Sequence, residues 1–193
     1  MSTPGALPFF QKGDVMNEVV QALPDRLNHS ENELNQSAQA LVTLLKEHGL
    51  TVTTAESCTG GLVSAAITSV PGASAVLDGA IVTYSPAVKG RFLEIDPAIL
   101  YEGGVVSEEC AKAMAEGAAK LFVADAAIAV TGNAGPSAGD PAAPVGTVYI
   151  AVTLCGVTTA RCLSLSGDRD AVREAAAKAA IQLLCEQIEK NVG

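Results

Sequence analysis

The chain has 193 residues, of which 49% are hydrophobic, 17% charged and 4% aromatic, with no Trp. That length suits one domain, and the apolar content gives ample material for a core of Ala, Val, Leu and Ile, which excludes a disordered chain. A net charge of −9 without a cluster of Lys and Arg argues against nucleic acid as a partner.

Five cysteines (Cys58, Cys110, Cys155, Cys162 and Cys185) form no CxxC and have no neighbouring His pair. No zinc site is expected, and a reducing compartment is the plain expectation. The sequence does not open on a basic stretch followed by an apolar one, and no apolar run reaches about 18 residues. A cytoplasmic protein without membrane spans is expected.

Residues 1–30 carry Pro4, Pro8 and Pro24 and read as an extension, with room for a short helix over 14–23. From Glu31 the pattern becomes helical, with Leu34, Ala38, Leu41, Leu44 and Leu45 on one face and a stop at His48-Gly49. A strand is predicted over 50–55, a small-residue helix over 59–69, and a second strand over 79–85. A helix over 86–93 has Pro86 in its first turn, and Ser107 opens another that runs to about Phe122. A third strand covers 124–132, and 133–146 is a Gly/Pro-rich loop. Strands over 146–154 and 157–166 form a hairpin, and a helix from about Asp168 to Lys190 closes the chain. The alternation predicts a three-layer α/β/α domain over 31–193 with a mixed, mostly parallel five-stranded sheet.

Ligands of open α/β sheets sit outside the carboxyl ends of the strands. Three unusual loops fall there: "AESCTGG", "TYSPAVK" and "TGNAGPSAGD". In the first, Ser57 and Thr59 either cap the helix or present a nucleophilic hydroxyl beside the backbone donors of Gly60 and Gly61. No GK[ST] or GxGxxG is present, so the usual ATP and dinucleotide signatures are missing. The two histidines, His29 and His48, lie in the extension and at a helix end, which argues against a Ser-His-Asp triad. Lys89, just past the second strand, is either a solvated helix residue or a base made neutral by a desolvating pocket. Tyr84 and Ser85 stand beside it as proton relays or ligand contacts. A long Gly/Pro loop is uncommon unless it binds something, and Thr131 stands at its start. Arg169 and Arg173, one turn apart, either clamp a phosphate or form an ordinary surface charge pattern. Cys58 is the weaker nucleophile, because adjacent residues on such a turn are expected to point apart and no His is near to lower its pKa.

These stretches, together with "VPGAS", "GGVVSEECAKAMAEGA" and "GDRDAVREAA", resemble in order the CinA C-terminal domain family, the nicotinamide-nucleotide amidohydrolases. The resemblance covers roughly residues 33–190. It implies hydrolysis of the carboxamide of nicotinamide mononucleotide to nicotinate mononucleotide and ammonia, without metal or organic cofactor. Carried over residue by residue, Ser57 would be the nucleophile, Lys89 its base, and Tyr84 a shaper of the pocket. Thr59, Gly60 and Gly61 would supply donors for an oxyanion or phosphate. Thr131, Gly132 and Gly135 would line the site, and Arg169 would hold the phosphate. Longer members carry a further N-terminal domain, which a chain of this length is expected to lack. The chain departs from the family pattern at Pro86, where Asn is usual, and at Asn133, Ser137 and Ala138 in a loop usually richer in glycine. Asn133 is expected to add a donor and an acceptor to the ligand loop.

The expected partner is a small nucleotide, with a homodimer favoured by the Ala-rich helices. The alternatives are a module that binds a nucleotide without hydrolysing it, or an interaction protein with a vestigial pocket. Whether Lys89 reaches Ser57 within about 2.6–3.2 Å separates them.

Overall fold

The computed structural model of the protein describes residues 26–138 and 143–192. The extension expected over 1–30 lies outside them up to residue 25, as does the short helix expected over 14–23.

The first described helix, α1, spans Arg26–His48, so the helical pattern read from Glu31 starts at least five residues earlier. Strand β1 is Val52–Glu56, and Leu62–Thr68 forms α2. A single 3₁₀ turn, Ala73–Ala75, leads into β2, Leu77–Val82. Helices α3 (Pro86–Leu93), α4 (Pro97–Tyr101) and α5 (Glu108–Phe122) follow. Then come β3 (Ala126–Gly132), β4 (Thr147–Leu154), β5 (Val157–Ser164) and the long α6 (Arg169–Val192).

The described strands form one five-stranded sheet in the order β2-β1-β3-β4-β5. Strands β2, β1 and β3 are parallel, and β4 and β5 return antiparallel as the expected hairpin. Helices cover both faces, as the α/β pattern requires. Along β3 the side chains alternate strictly: Ile128 and Val130 join Leu41, Ile67 and Ile181 in the larger core under α1, α2 and α6. Ala127 and Ala129 face Leu93, Leu100, Met114 and Ala118 under α3, α4 and α5. The small strand residues on that second face bring α5 close to the sheet. Gly117 on α5 lets α3 approach as well, since a Cβ there would collide with the Leu93 carbonyl.

Besides the earlier start of α1 and the short α4, which was not expected, two boundaries at the site differ from expectation. Strand β2 ends at Val82 rather than Ser85, because Ser85 leaves the sheet to cap α3 and its Oγ accepts from the Val88 N–H at 3.3 Å. Helix α2 begins at Leu62 rather than residue 59, because Gly60 (φ 63°) and Gly61 (φ 101°) form a left-handed turn before it. The parallel arrangement sets the C-terminal ends of β1, β2 and β3, at Glu56, Val82 and Gly132, along one edge. The N-terminus of α6 reaches the same edge.

Candidate active site

The turn after β1 is built around a buried acid. Glu56 is fully buried, and its carboxylate accepts the N–H groups of Gly61 (2.9 Å), Val63 (3.0 Å) and Ser64 (2.9 Å) and the Thr54 hydroxyl (3.2 Å). A buried carboxylate must be matched by donors in this way, and the amides at the start of α2 supply them. Ser57 and Thr59 therefore do not cap α2. Ser57 instead donates its N–H to the Val130 carbonyl (2.9 Å) and accepts the Gly60 N–H on its own carbonyl (3.0 Å).

Lys89 lies in the first turn of α3, which Ser85 caps and Pro86 begins. Its side chain is 1% exposed. The Nζ atom lies 3.0 Å from Ser57 Oγ and also donates to the Thr83 carbonyl. Burial holds the Lys89 ammonium below its ordinary pKa, opposed by the nearness of Cys110 and Cys58. Those two thiols are themselves pushed up to about 11 by burial, so near neutral pH they are uncharged and exert little pull.

Ser57 and Lys89 open onto a cavity of about 540 Å³, a size suited to a small-molecule ligand. Tyr84, Thr131, Gly132, Gly135 and Arg169 line it with them, as do Val105 and Val106. Arg169, the exposed first residue of α6, spans the mouth: it donates to the Gly135 carbonyl at 2.7 Å and to the Tyr84 hydroxyl at 3.1 Å. Among the described lining residues there is no Asp or Glu, and Arg169 gives them a positive charge in an acidic chain.

Several residues sit differently from expectation. Thr59, Gly60, Gly61 and Ser85 do not line the cavity. The Thr59 side chain is fully buried, and the Gly61 amide is engaged by Glu56. Cys58 borders it next to Ser57, but its side chain packs into the larger core while the Ser57 hydroxyl meets Lys89. The Thr131 hydroxyl donates to the Val105 carbonyl at 2.7 Å and ties the loop before α5 to the site. Asn133 contributes to the wall, but its Nδ2 donates across its own loop to the Ala143 carbonyl at 2.7 Å. Arg173 does not reach the cavity; its guanidinium donates to the carbonyls of Cys58 (Nε, 3.2 Å) and Thr59 (2.9 Å). Glu56 and the Val105-Val106 wall were missed in the sequence. The signals were an acid directly before a Gly-rich helix entry and an apolar pair directly before the Ser107 cap.

Among the described residues no group of three His, Cys, Asp or Glu side chains could hold a metal ion, and no helix is long and apolar enough to cross a membrane.

A CinA-like protein of Mycobacterium tuberculosis is 44% identical over 172 residues, covering 88% of this chain and 40% of that protein. A CinA-like protein of Dictyoglomus turgidum is 42% identical over 159 residues, covering 82% of this chain and 38% of that protein. The chain thus spans about two fifths of the length of these curated relatives. Among solved structures, a competence-damaged protein (CinA) superfamily protein from Klebsiella pneumoniae superposes with a TM-score of 0.79 at 33% identity, over 81% of this chain and 98% of that one. A competence/damage inducible protein from Agrobacterium tumefaciens gives 0.77 at 35% identity, over 81% and 96%. The family model of the CinA C-terminal domain matches residues 34–188, which takes in every loop at the cavity edge. In fold, loop order and sequence alike, this chain belongs to the CinA C-terminal domain family.

Proposed function

We propose that the chain hydrolyses the carboxamide of nicotinamide mononucleotide to nicotinate mononucleotide and ammonia, with Ser57 as nucleophile and Lys89 as its base. One observation carries this reading: a lysine withdrawn from water stands 3.0 Å from the Ser57 hydroxyl at the wall of a cavity. A serine hydroxyl is a weak nucleophile until a neighbouring base removes its proton. Neutral Lys89 would take that proton as Ser57 Oγ bonds to the carboxamide carbon. Collapse of the tetrahedral species would expel ammonia, with Lys89 returning the proton to the leaving nitrogen. Water, deprotonated by the same amine, would then cleave the ester, free the carboxylic acid and restore Ser57.

The surroundings support this substrate class. Val105 and Val106 offer an apolar wall to a pyridine ring, and among the described lining residues there is no carboxylate to repel a phosphate. Arg169 at the mouth is the cation for it, at a planar fork well matched to phosphate oxygens.

The experiment is ammonia release from nicotinamide mononucleotide by the wild type, Ser57→Ala and Lys89→Ala. A wild-type rate lost in both variants is the expected result. A rate that persists in Ser57→Ala sinks the covalent route. Tight nucleotide binding without release would favour a binding module instead.

A further inference from the structure

The turn that carries Ser57 is gripped by two oppositely charged side chains, neither of which lines the cavity. On one side the Glu56 carboxylate takes the N–H groups of Gly61, Val63 and Ser64. On the other, Arg173 donates Nε to the Cys58 carbonyl at 3.2 Å and a terminal nitrogen to the Thr59 carbonyl at 2.9 Å. Its remaining terminal nitrogen meets Asp170 Oδ1 at 3.2 Å. The segment between these grips contains Gly60 and Gly61, both at positive φ, so its own backbone is poorly constrained.

We infer that Glu56 and Arg173 are positioning residues for Ser57, holding the 57–61 backbone so that the Ser57 hydroxyl stays on Lys89 Nζ. The effect on turnover rests on the serine–lysine reading above, whereas the effect on geometry does not. The division of labour along α6 makes the same point. Arg169 faces the cavity, and Arg173, one turn on, reaches behind the nucleophile turn, so one helix sets both the mouth and the back of the site. A carboxylate with no exposure is costly to bury, and an apolar side chain would fill the space without that cost. What an apolar residue cannot do is order three consecutive-turn amides around one point.

The test compares Arg173→Met and Arg173→Lys with the wild type, because Arg173 is partly exposed and its loss leaves the core intact. In Arg173→Met, kcat for ammonia release is expected to fall by roughly 10- to 100-fold while KM stays within about twofold, the pattern of a displaced nucleophile. Arg173→Lys should recover part of the loss, since an ammonium can reach one carbonyl but cannot fork across two. A loss that follows only the drop in melting temperature, with no recovery in Arg173→Lys, would overturn the inference. The crystal structure of Arg173→Met provides an arm free of any substrate. Separation of Ser57 Oγ from Lys89 Nζ beyond hydrogen-bond reach is expected, and an unchanged contact would overturn the inference. Should the wild type release no ammonia, the proposed reaction fails and this structural arm still decides the positioning role.

Discussion

Lys89 Nζ meets Ser57 Oγ at 3.0 Å from a side chain that is only 1% exposed. Burial lowers the Lys89 pKa from its usual 10.5, so between the lowered value and 10.5 the folded chain binds fewer protons than the unfolded one. Stability from this group therefore rises with pH across that window, and below it the buried ammonium bears its full desolvation cost. Lys89→Met lacks the titrating group. The melting temperature of the wild type relative to Lys89→Met should climb as pH is raised from about 7 to about 10. Parallel melting curves would show that Lys89 titrates as it does in water. The variant should be inactive throughout.

Val123 follows α5 in a left-handed conformation, φ 55° and ψ 38°, with 88% of its surface exposed. A β-branched residue there strains against its own carbonyl by about 1–2 kcal/mol, while glycine adopts the conformation freely at some cost in unfolded-chain entropy. Val123→Gly should stabilise the fold by about 0.5–1 kcal/mol. Chemical denaturation checks this, and ammonia release should be unchanged because the residue is remote from the cavity. A lower denaturation midpoint would mean that the Val123 side chain contributes packing its exposure conceals.

Gly132 ends β3 where β4 begins beside it. A Cβ there would come within 2.7 Å of the Thr147 carbonyl oxygen and 2.7 Å of a Val148 methyl. Gly132→Ala must push the two strands apart or shift the loop that starts at Asn133, and overpacking of this kind costs about 1–3 kcal/mol. Both the melting temperature and KM should worsen. A change in melting temperature with KM untouched would show that the strain is absorbed on the β4 side.

Much of this was legible in the chain because the signals are local. Ser107 followed by Glu108 and Glu109 marks the start of α5, and the structure puts Ser107 Oγ on the Cys110 N–H at 3.1 Å. The parallel reading of β1, β2 and β3 also forecasts that Ser57, Lys89 and Thr131 share one edge. What escaped depends on distance along the chain or on brevity. Helix α4 has only five residues, too few for a periodic signal, although Asp96 and Pro97 form a recognisable cap. The carbonyls that Arg173 holds lie 114 and 115 residues away, and nothing in "GDRDAVREAA" announces them. Glu56 is next to Ser57, yet its role comes from amides five to eight residues onward that turn back only once Gly60 and Gly61 take positive φ. Asn133 adds the expected amide to the loop and borders the cavity, but its Nδ2 is spent within that loop on the Ala143 carbonyl, a pairing the sequence does not announce.

Arg169 holds the Gly135 carbonyl and the Tyr84 hydroxyl at the cavity mouth, so its removal has two separable consequences. Loosening the mouth affects any substrate, whereas loss of a phosphate partner affects only phosphorylated ones. Comparing nicotinamide mononucleotide with nicotinamide riboside in Arg169→Met isolates the second. A charge-assisted contact to phosphate is worth about 1.5–3 kcal/mol, so kcat/KM for the mononucleotide should fall roughly 10- to 100-fold further than for the riboside. Arg169→Lys should lie between, because a point charge still attracts the anion without matching its oxygens in pairs. An equal fall for both substrates would assign Arg169 wholly to Tyr84 and Gly135. The amides of Gly61, Val63 and Ser64 could not replace it as phosphate partner, because Glu56 already takes them.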